Sequence, residues 1–147
     1  MDSRVRHIAK SITWRIVASS TTFFITLGFF GQAELAKASL LTAFETSIKL
    51  LIYYLHERIW FRLSTNMSAR MRHIAKAITW RILASGTTFL LTLLLFGGHD
   101  DVTEKATMIA LTESVLKMLF YYGHEEAWYR INLGVESRRS EKGLNND

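Results

Sequence analysis

The sequence predicts an all-α integral membrane protein with four transmembrane helices, arranged as two tandem helical hairpins of the same (parallel) topology. Three observations lead to this prediction. Two long stretches carry no charged residue, and a 22-residue segment occurs twice with 17 of 22 positions identical. The basic residues collect at one end of the apolar stretches. The chain has 49% hydrophobic residues, a net charge of +5, no proline and no cysteine, which excludes disulfides and thiolate metal sites.

The first and third helices are predicted from the uncharged stretches 16–31 and 82–98. Each stretch is close to the roughly 20 residues that cross about 30 Å of hydrocarbon. A soluble four-helix bundle is the alternative, but it would show an apolar stripe opposite a charged face, and these stretches are apolar or weakly polar all round. A signal peptide is disfavoured because the second copy is internal. We therefore expect spans near 8–30 and 74–96.

The second and fourth helices are predicted near 36–63 and 103–131, where long apolar stretches each contain a glutamate followed four residues later by a lysine. These intramembrane charge pairs are Glu45 with Lys49 and Glu113 with Lys117. Residues four apart share a helix face and attract each other in this order. An unpaired charge at the bilayer centre costs roughly 2.5–3.5 kcal/mol, so both members should face protein or water. The pairs can serve function or can only hold helices together.

The repeat covers both helices of each hairpin. Eight residues of the second helix recur 68 positions later, namely Glu45, Lys49, Tyr53, Tyr54, His56, Glu57, Trp60 and Arg62. The first helices are related by 66 positions, so two residues are inserted in the later hairpin loop. The predicted organisation is hairpin repeat 1 at residues 1–66, hairpin repeat 2 at 67–135 and a polar, disordered cytoplasmic tail at 136–147.

The positive charges predict the orientation in the membrane. Of the 18 Lys and Arg residues only Lys37 and Lys105 lie in the hairpin loops. Lys49 and Lys117 lie within the second and fourth helices, and the other 14 lie at the opposite helix ends, in the linker or in the tails. By the positive-inside rule, both termini and the linker are cytoplasmic. Because each repeat crosses the membrane twice, the two repeats have the same orientation.

A joint motif indicates a family. K-x-x-T-W-R near the start of one helix, followed by E-x-x-x-K-x-x-x-Y-Y-x-H-E-x-x-W along the next, resembles the small prokaryotic membrane family catalogued as the domain of unknown function numbered two-zero-six-one. Both copies match, over about residues 4–62 and 70–130. The resemblance implies a multi-pass protein of the prokaryotic cytoplasmic (inner) membrane and supplies no activity. The second copy departs from the first at Glu126, where the first has Arg58, and at Gly123, where the first has Leu55.

Polar and aromatic residues near the cytoplasmic helix ends form the candidate site. The polar and basic members are Lys10, Arg15, His56, Glu57, Lys76, Arg81, His124 and Glu125. The interfacial aromatic members are Trp14, Trp60, Trp80 and Trp128, which an aromatic belt also explains. If each hairpin folds back on itself, residue depths match when their numbers sum to roughly 67 in the first copy. Glu57 is then level with Lys10, and Arg15 lies beside Tyr53, one turn from Glu57, where it can snorkel or bridge to that carboxylate.

Several chemistries are disfavoured. Adjacent His and Glu residues on a helix point about 100° apart, and the H-E-x-x-H spacing is absent, so we expect no metal and no cofactor. Topology and anionic lipid head groups account for the basic residues, so we expect no nucleic-acid partner. No nucleophile with its base is recognisable, so we expect no catalytic residues and no enzyme; an enzyme acting on lipid is the weakest hypothesis.

Two function hypotheses remain. In the first, the protein is a homo-oligomeric transport or channel-like module for a small anion, whose cytoplasmic vestibule is lined by basic residues. These would be Lys49, Lys117, Arg15 and Arg81. In the alternative, it is a non-transporting accessory or scaffold subunit of a larger membrane complex, held by its small and hydroxylated helix faces. The sequence alone does not separate the two hypotheses.

Overall fold

The computed structural model describes residues 3–63 and 67–131, and within these residues the protein contains four α-helices and no strand. The helices are α1 (Ser3–Phe30), α2 (Leu35–Leu63), α3 (Ala69–Phe96) and α4 (Val102–Arg130), with a short 3-10 helix at Gln32–Glu34. The all-helical fold with four helices is confirmed. The predicted tail at 136–147 lies outside the described residues.

Short local signals end and begin the helices. Gly31 follows α1 with φ of 85°, a left-handed conformation that glycine adopts without steric cost, and its N–H donates to the Leu27 carbonyl at 2.7 Å. The side chain of Ser68 caps α3 by accepting the N–H of Met71 at 3.4 Å. Each helix has 28 or 29 residues. At 1.5 Å per residue such helices are about 42 Å long, which exceeds the hydrocarbon thickness of a bilayer.

The burial pattern is reversed relative to a soluble protein. Large apolar side chains are exposed on all four helices, whereas the buried set is rich in threonine and includes charged residues. Its polar members are Thr21, Thr22, Thr26, Glu45, His56, Thr88, Thr92 and Glu113. Soluble proteins seldom bury Glu while leaving many Leu, Ile and Phe side chains exposed.

The helices differ in how apolar they are, which matters for membrane insertion. Of the described helices, α3 is the one that is both long enough and apolar enough to cross a membrane, and 11% of its apolar window is buried within the protein. The helices α2 and α4 carry ionisable residues at mid-length, which lowers their apolar character. Their prediction as membrane spans depends on the pairing of those charges.

The chain divides into two compact units that cut across the repeats. One unit combines the part of α1 up to Ala18 with the part of α4 from Leu116 onwards. The other unit extends from Ser19 to Val115 and therefore contains α2 and α3. Each unit contains helical segments from both repeats, and each contains one copy of the contacts described next.

Candidate functional site: two matched motif clusters

In the Ser19–Val115 unit, the C-terminal half of α2 packs against the N-terminal half of α3. We call this set of residues the α2/α3 cluster; its members are Tyr53, His56, Glu57, Trp60, Lys76, Thr79 and Trp80. The Lys76 ammonium lies 2.5 Å from Glu57. His56 Nε2 lies 2.8 Å from Thr79 Oγ1. The two helices are thus joined by an ion pair and by a hydrogen bond one turn away.

The Thr79 hydroxyl is the centre of the α2/α3 cluster. It donates to the Ala75 carbonyl at 2.9 Å and accepts the Trp60 indole N–H at 3.1 Å. Because a hydroxyl has one proton, its contact with His56 requires the imidazole to donate from Nε2. His56 is buried, and its Nδ1 has no hydrogen-bond partner among the described residues.

Aromatic rings enclose this centre. Tyr53 and Trp80 meet edge to face, with ring centroids 5.2 Å apart and an interplanar angle of 85°. The His56 ring lies 5.8 Å from the Trp80 ring. Edge-to-face packing places the positive edge of one ring on the negative face of the other, so it fixes ring orientation as well as burying area.

The unit that contains the N-terminal part of α1 has a matching set of contacts. We call it the α1/α4 cluster; its members are Lys10, Thr13, Trp14, Tyr121, His124, Glu125 and Trp128. Lys10 lies 2.6 Å from Glu125, and His124 Nε2 lies 2.9 Å from Thr13 Oγ1. The Trp128 indole donates to Thr13 Oγ1 at 3.2 Å. Trp14 and Tyr121 meet at 5.1 Å and 82°.

Both clusters join residues from different repeats. K-x-x-T-W of the second repeat packs against Y-x-x-H-E-x-x-W of the first, and K-x-x-T-W of the first packs against Y-x-x-H-E-x-x-W of the second. The ion pairs therefore form between repeats and not within one: Glu57 binds Lys76, and Lys10 binds Glu125. A depth register cannot distinguish Lys10 from Lys76, because both occur in the same motif at the same distance from a helix end.

Three of the four intramembrane charged residues, Glu45, Lys49 and Glu113, belong to a third group of contacts, in the Ser19–Val115 unit. The Lys49 ammonium lies 2.6 Å from Glu45, 2.9 Å from Glu113 and 2.9 Å from the Thr88 hydroxyl. An ammonium has three protons, and three oxygens accept them here. We call these four residues the lysine cluster. It joins α2 to both α3 and α4.

The lysine cluster is covered within a single chain. The side chain of Lys49 is 11% exposed and those of Glu45 and Glu113 are each 4% exposed. The Thr22 hydroxyl donates to Glu45 at 3.2 Å, and the Thr88 hydroxyl lies 3.2 Å from the second oxygen of Glu113. Burying these charges therefore does not require a homo-oligomer.

The remaining basic candidates are divided between the two units. Arg81 donates to the Ser114 carbonyl at 3.4 Å. Arg15 is half-buried on α1, and Lys117 is half-buried on α4 in the other unit. Within residues 3–63 and 67–131, no three His, Asp or Glu side chains lie close enough together to hold a metal ion.

The loop ends of the helices are joined by aromatic and charged contacts within the Ser19–Val115 unit. Phe30 and Phe96 stack at 3.9 Å with an angle of 15°, and His99 Nε2 lies 3.1 Å from Glu34. A hydrogen bond from Lys37 lowers the pKa of Glu34, and a hydrogen bond from Lys105 lowers the pKa of Asp101. The two basic residues on this side of the protein are therefore each paired with a carboxylate.

Sequence reasoning missed Thr13 and Thr79, each of which contacts the His and the Trp of its cluster. Thr22 contacts Glu45 at 3.2 Å, as their matching depth in the first hairpin predicts, and Thr88 contacts Glu113 in the second hairpin. The signal was present, since each of these threonines occurs at the same place in both copies. Threonine is common on membrane helix faces, and its role was not separable from general helix packing.

The fold and these clusters define a class of protein: all-helical, with apolar side chains outside and a hydrogen-bonded polar interior. The family described as predicted membrane protein (DUF2061) matches residues 8–61 and again residues 74–129. The chain therefore belongs to this family of unknown function and contains two tandem copies of its domain, which confirms the resemblance drawn from the motif. No curated protein and no solved structure matches the chain.

Proposed function

We propose that the protein is a multi-pass protein of the prokaryotic cytoplasmic membrane, with both termini cytoplasmic, and that it acts as a non-transporting scaffold or accessory subunit of a membrane complex. The observation that carries this proposal is the saturation of Lys49 by three oxygen acceptors.

An anion path needs positive charge with unused hydrogen-bond donors facing water. Lys49 was the inner member of the hypothetical basic lining, yet its three protons are bound by Glu45, Glu113 and Thr88. The two carboxylates that contact Lys49 repel anions from it. The lysine cluster is instead suited to fixing α2 against α3 and α4, which is a structural role.

The exchange of motif halves between repeats supports the scaffold role. In both clusters the ion pair and the His–Thr–Trp contacts join helices of different repeats, so the repeats interlock and neither supplies a complete cluster alone. A module held at this many points is suited to keeping a fixed shape and offering its exposed apolar faces to lipid or to a partner subunit.

Membrane embedding is supported by three features. Exposed apolar side chains occur on every helix, buried polar groups are hydrogen-bonded to one another, and the helices exceed the thickness of the hydrocarbon core. Lys37 and Lys105 are paired with carboxylates at the loop ends, while the opposite helix ends carry most of the basic residues. This asymmetry favours cytoplasmic termini.

Single-cysteine labelling tests the topology, since the chain has no cysteine of its own. The variants Gln32→Cys and Asp100→Cys should react with a membrane-impermeant maleimide in intact cells, whereas Asn145→Cys should react only after permeabilisation. Reaction of all three in intact cells would contradict spanning, and the reverse pattern would overturn the orientation.

The same protein in liposomes separates the scaffold from the anion path. Anion flux at high protein load should equal that of empty liposomes, for the wild type and for Lys49→Met alike. Flux above that background that disappears in Lys49→Met would refute the scaffold proposal and establish the transport hypothesis.

A further inference from the structure

An open cleft lies beside the α2/α3 cluster, between the last turns of α2 and the first two turns of α3. Its volume is about 350 Å³, and it is lined by Glu57, Trp60, Phe61, Arg72, His73 and Lys76. No role in the interlock accounts for Phe61, Arg72 or His73. The cleft is therefore a separate feature that uses one side of the cluster as its wall.

The charges lining the cleft leave an unused cation. Lys76 and Glu57 neutralise each other through their ion pair. Arg72 is half-buried, and within the described part of the chain no carboxylate pairs with its guanidinium. His73 is exposed beside it. An arginine fork with free donors in a concave site binds planar or tetrahedral oxyanions, because two N–H groups can reach two oxygens at once.

The aromatic wall of the cleft distinguishes between kinds of anion. The Trp60 indole N–H is held by Thr79, whereas Phe61 is 86% exposed. A small inorganic anion has no use for an exposed phenyl ring next to a guanidinium. A phospholipid does, because its phosphate lies at the height of the basic residues while its glycerol and acyl chains lie against apolar surface.

We propose that this cleft binds the phosphate of an anionic glycerophospholipid, with Arg72 on the phosphate oxygens and Phe61 along the start of an acyl chain. The proposal rests on the membrane embedding proposed above. It assigns the cytoplasmic ends of α2 and α3 a defined lipid site, in addition to the general attraction of basic residues to an anionic surface.

The α1/α4 cluster provides a matched control. There the residue equivalent to Arg72 is Arg6, and its guanidinium donates to the Trp128 carbonyl at 2.8 Å. Glu126 replaces Arg58, so this end of α4 is also less positive, and Glu126 binds Arg130 at 2.9 Å. At this position of the motif, the guanidinium of Arg6 is engaged in a contact within the protein, whereas the guanidinium of Arg72 is available to a ligand.

Ligand-dependent unfolding of the full chain in neutral detergent tests the proposal. Short-chain phosphatidylglycerol should raise the midpoint of unfolding (Tm) by about 5 °C at saturation. Short-chain phosphatidylcholine and inorganic phosphate should have little effect at the same concentrations. Arg72→Gln should remove more than half of the shift, Arg72→Lys should retain most of it, and Arg6→Gln should leave it unchanged.

Each other outcome overturns the proposal. Equal losses in Arg72→Gln and Arg6→Gln would show general charge attraction, and an undiminished shift in Arg72→Gln would exclude the cleft. An equal response to phosphatidylcholine would exclude charge recognition, and an equal response to phosphate would exclude a lipid. Without lipid, Arg72→Gln should unfold within about 2 °C of the wild type because it breaks no ion pair. Normal cysteine labelling with no lipid response would count against the cleft alone and leave membrane embedding intact.

Discussion

The α2/α3 cluster and the α1/α4 cluster share their His–Thr, Trp–Thr, Lys–Glu and Tyr–Trp contacts but have different surroundings, and in the α1/α4 cluster the Trp128 indole also donates to His124 Nε2 at 3.1 Å. The His–Thr distances are 2.8 and 2.9 Å, the Trp–Thr distances 3.1 and 3.2 Å, and the Lys–Glu distances 2.5 and 2.6 Å. The two histidines of the motif differ in burial: His56 is buried, while His124 is half-buried. The residues that the two copies share therefore make contacts of the same geometry. The positions at which the copies differ change the burial and the net charge around those contacts.

Two of those positions lie next to the clusters. Leu55 of the first copy corresponds to Gly123 of the second, and a Cβ atom at Gly123 would meet nothing within 4 Å. Arg58 corresponds to Glu126. The first copy is therefore more positive than the second at this position, which is one of the differences that the cleft proposal uses.

The largest expected effect on this comparison comes from Lys49, which lies seven residues before His56 on α2. Lys49→Met leaves Glu45 and Glu113 buried without their shared cation, so the free energy of unfolding should fall by about 3 kcal/mol or more. Because Lys49 holds α2 to α3 directly, amide hydrogen exchange should accelerate more at residues 53–60 than at residues 121–128.

The matched control for that change is the pair of substitutions Glu45→Leu and Lys49→Met in one chain. It should cost less than Lys49→Met alone, because it removes one of the two buried carboxylates together with the lysine and leaves Glu113 in contact with Thr88. A double variant less stable than either single variant would contradict the pairing in the lysine cluster.

A smaller effect is expected at the central threonines. Thr79→Val leaves the His56 and Trp60 N–H groups without an acceptor in a buried site, so it should cost about 1–3 kcal/mol. Thr13→Val should cost less, because the half-buried His124 can be hydrated when the hydroxyl is lost. The measurement is the free energy of unfolding of both variants, with Thr79→Ser as the control that keeps the hydroxyl. Equal costs at the two threonines would mean that the difference in burial has no energetic weight.

The sequence predicted the helices well and their partners poorly. The lengths of apolar sequence placed α1 to α4 within a few residues, since helix length and hydrophobicity are local properties. Partner choice is not local: Lys10 and Lys76 occur in identical surroundings, so their sequence positions contain no information on which glutamate each one binds. The offset of the repeats predicted which residues of the two copies are equivalent. Equivalent residues can still bind partners in their own repeat or in the other repeat.

The candidate site shows the same limit. The spacing of Glu45 and Lys49 predicted a shared helix face, whereas the approach of Glu113 and Thr88 to the same ammonium depends on how the helices pack. The cleft at Arg72 also depends on the distance between two helix ends. Its difference from Arg6 was invisible in the sequence, because both arginines precede histidine in the same motif.

Charge exchange at Lys76 tests the interlock of the repeats most directly. Lys76→Glu places two carboxylates together at a half-exposed site and should lower the free energy of unfolding by about 1 kcal/mol. Adding Glu57→Lys should restore most of the loss, and adding Glu125→Lys should not. For Lys10→Glu, the restoring change should be Glu125→Lys and not Glu57→Lys. Restoration of Lys76→Glu by Glu125→Lys, its partner within the same repeat, would contradict the interlock.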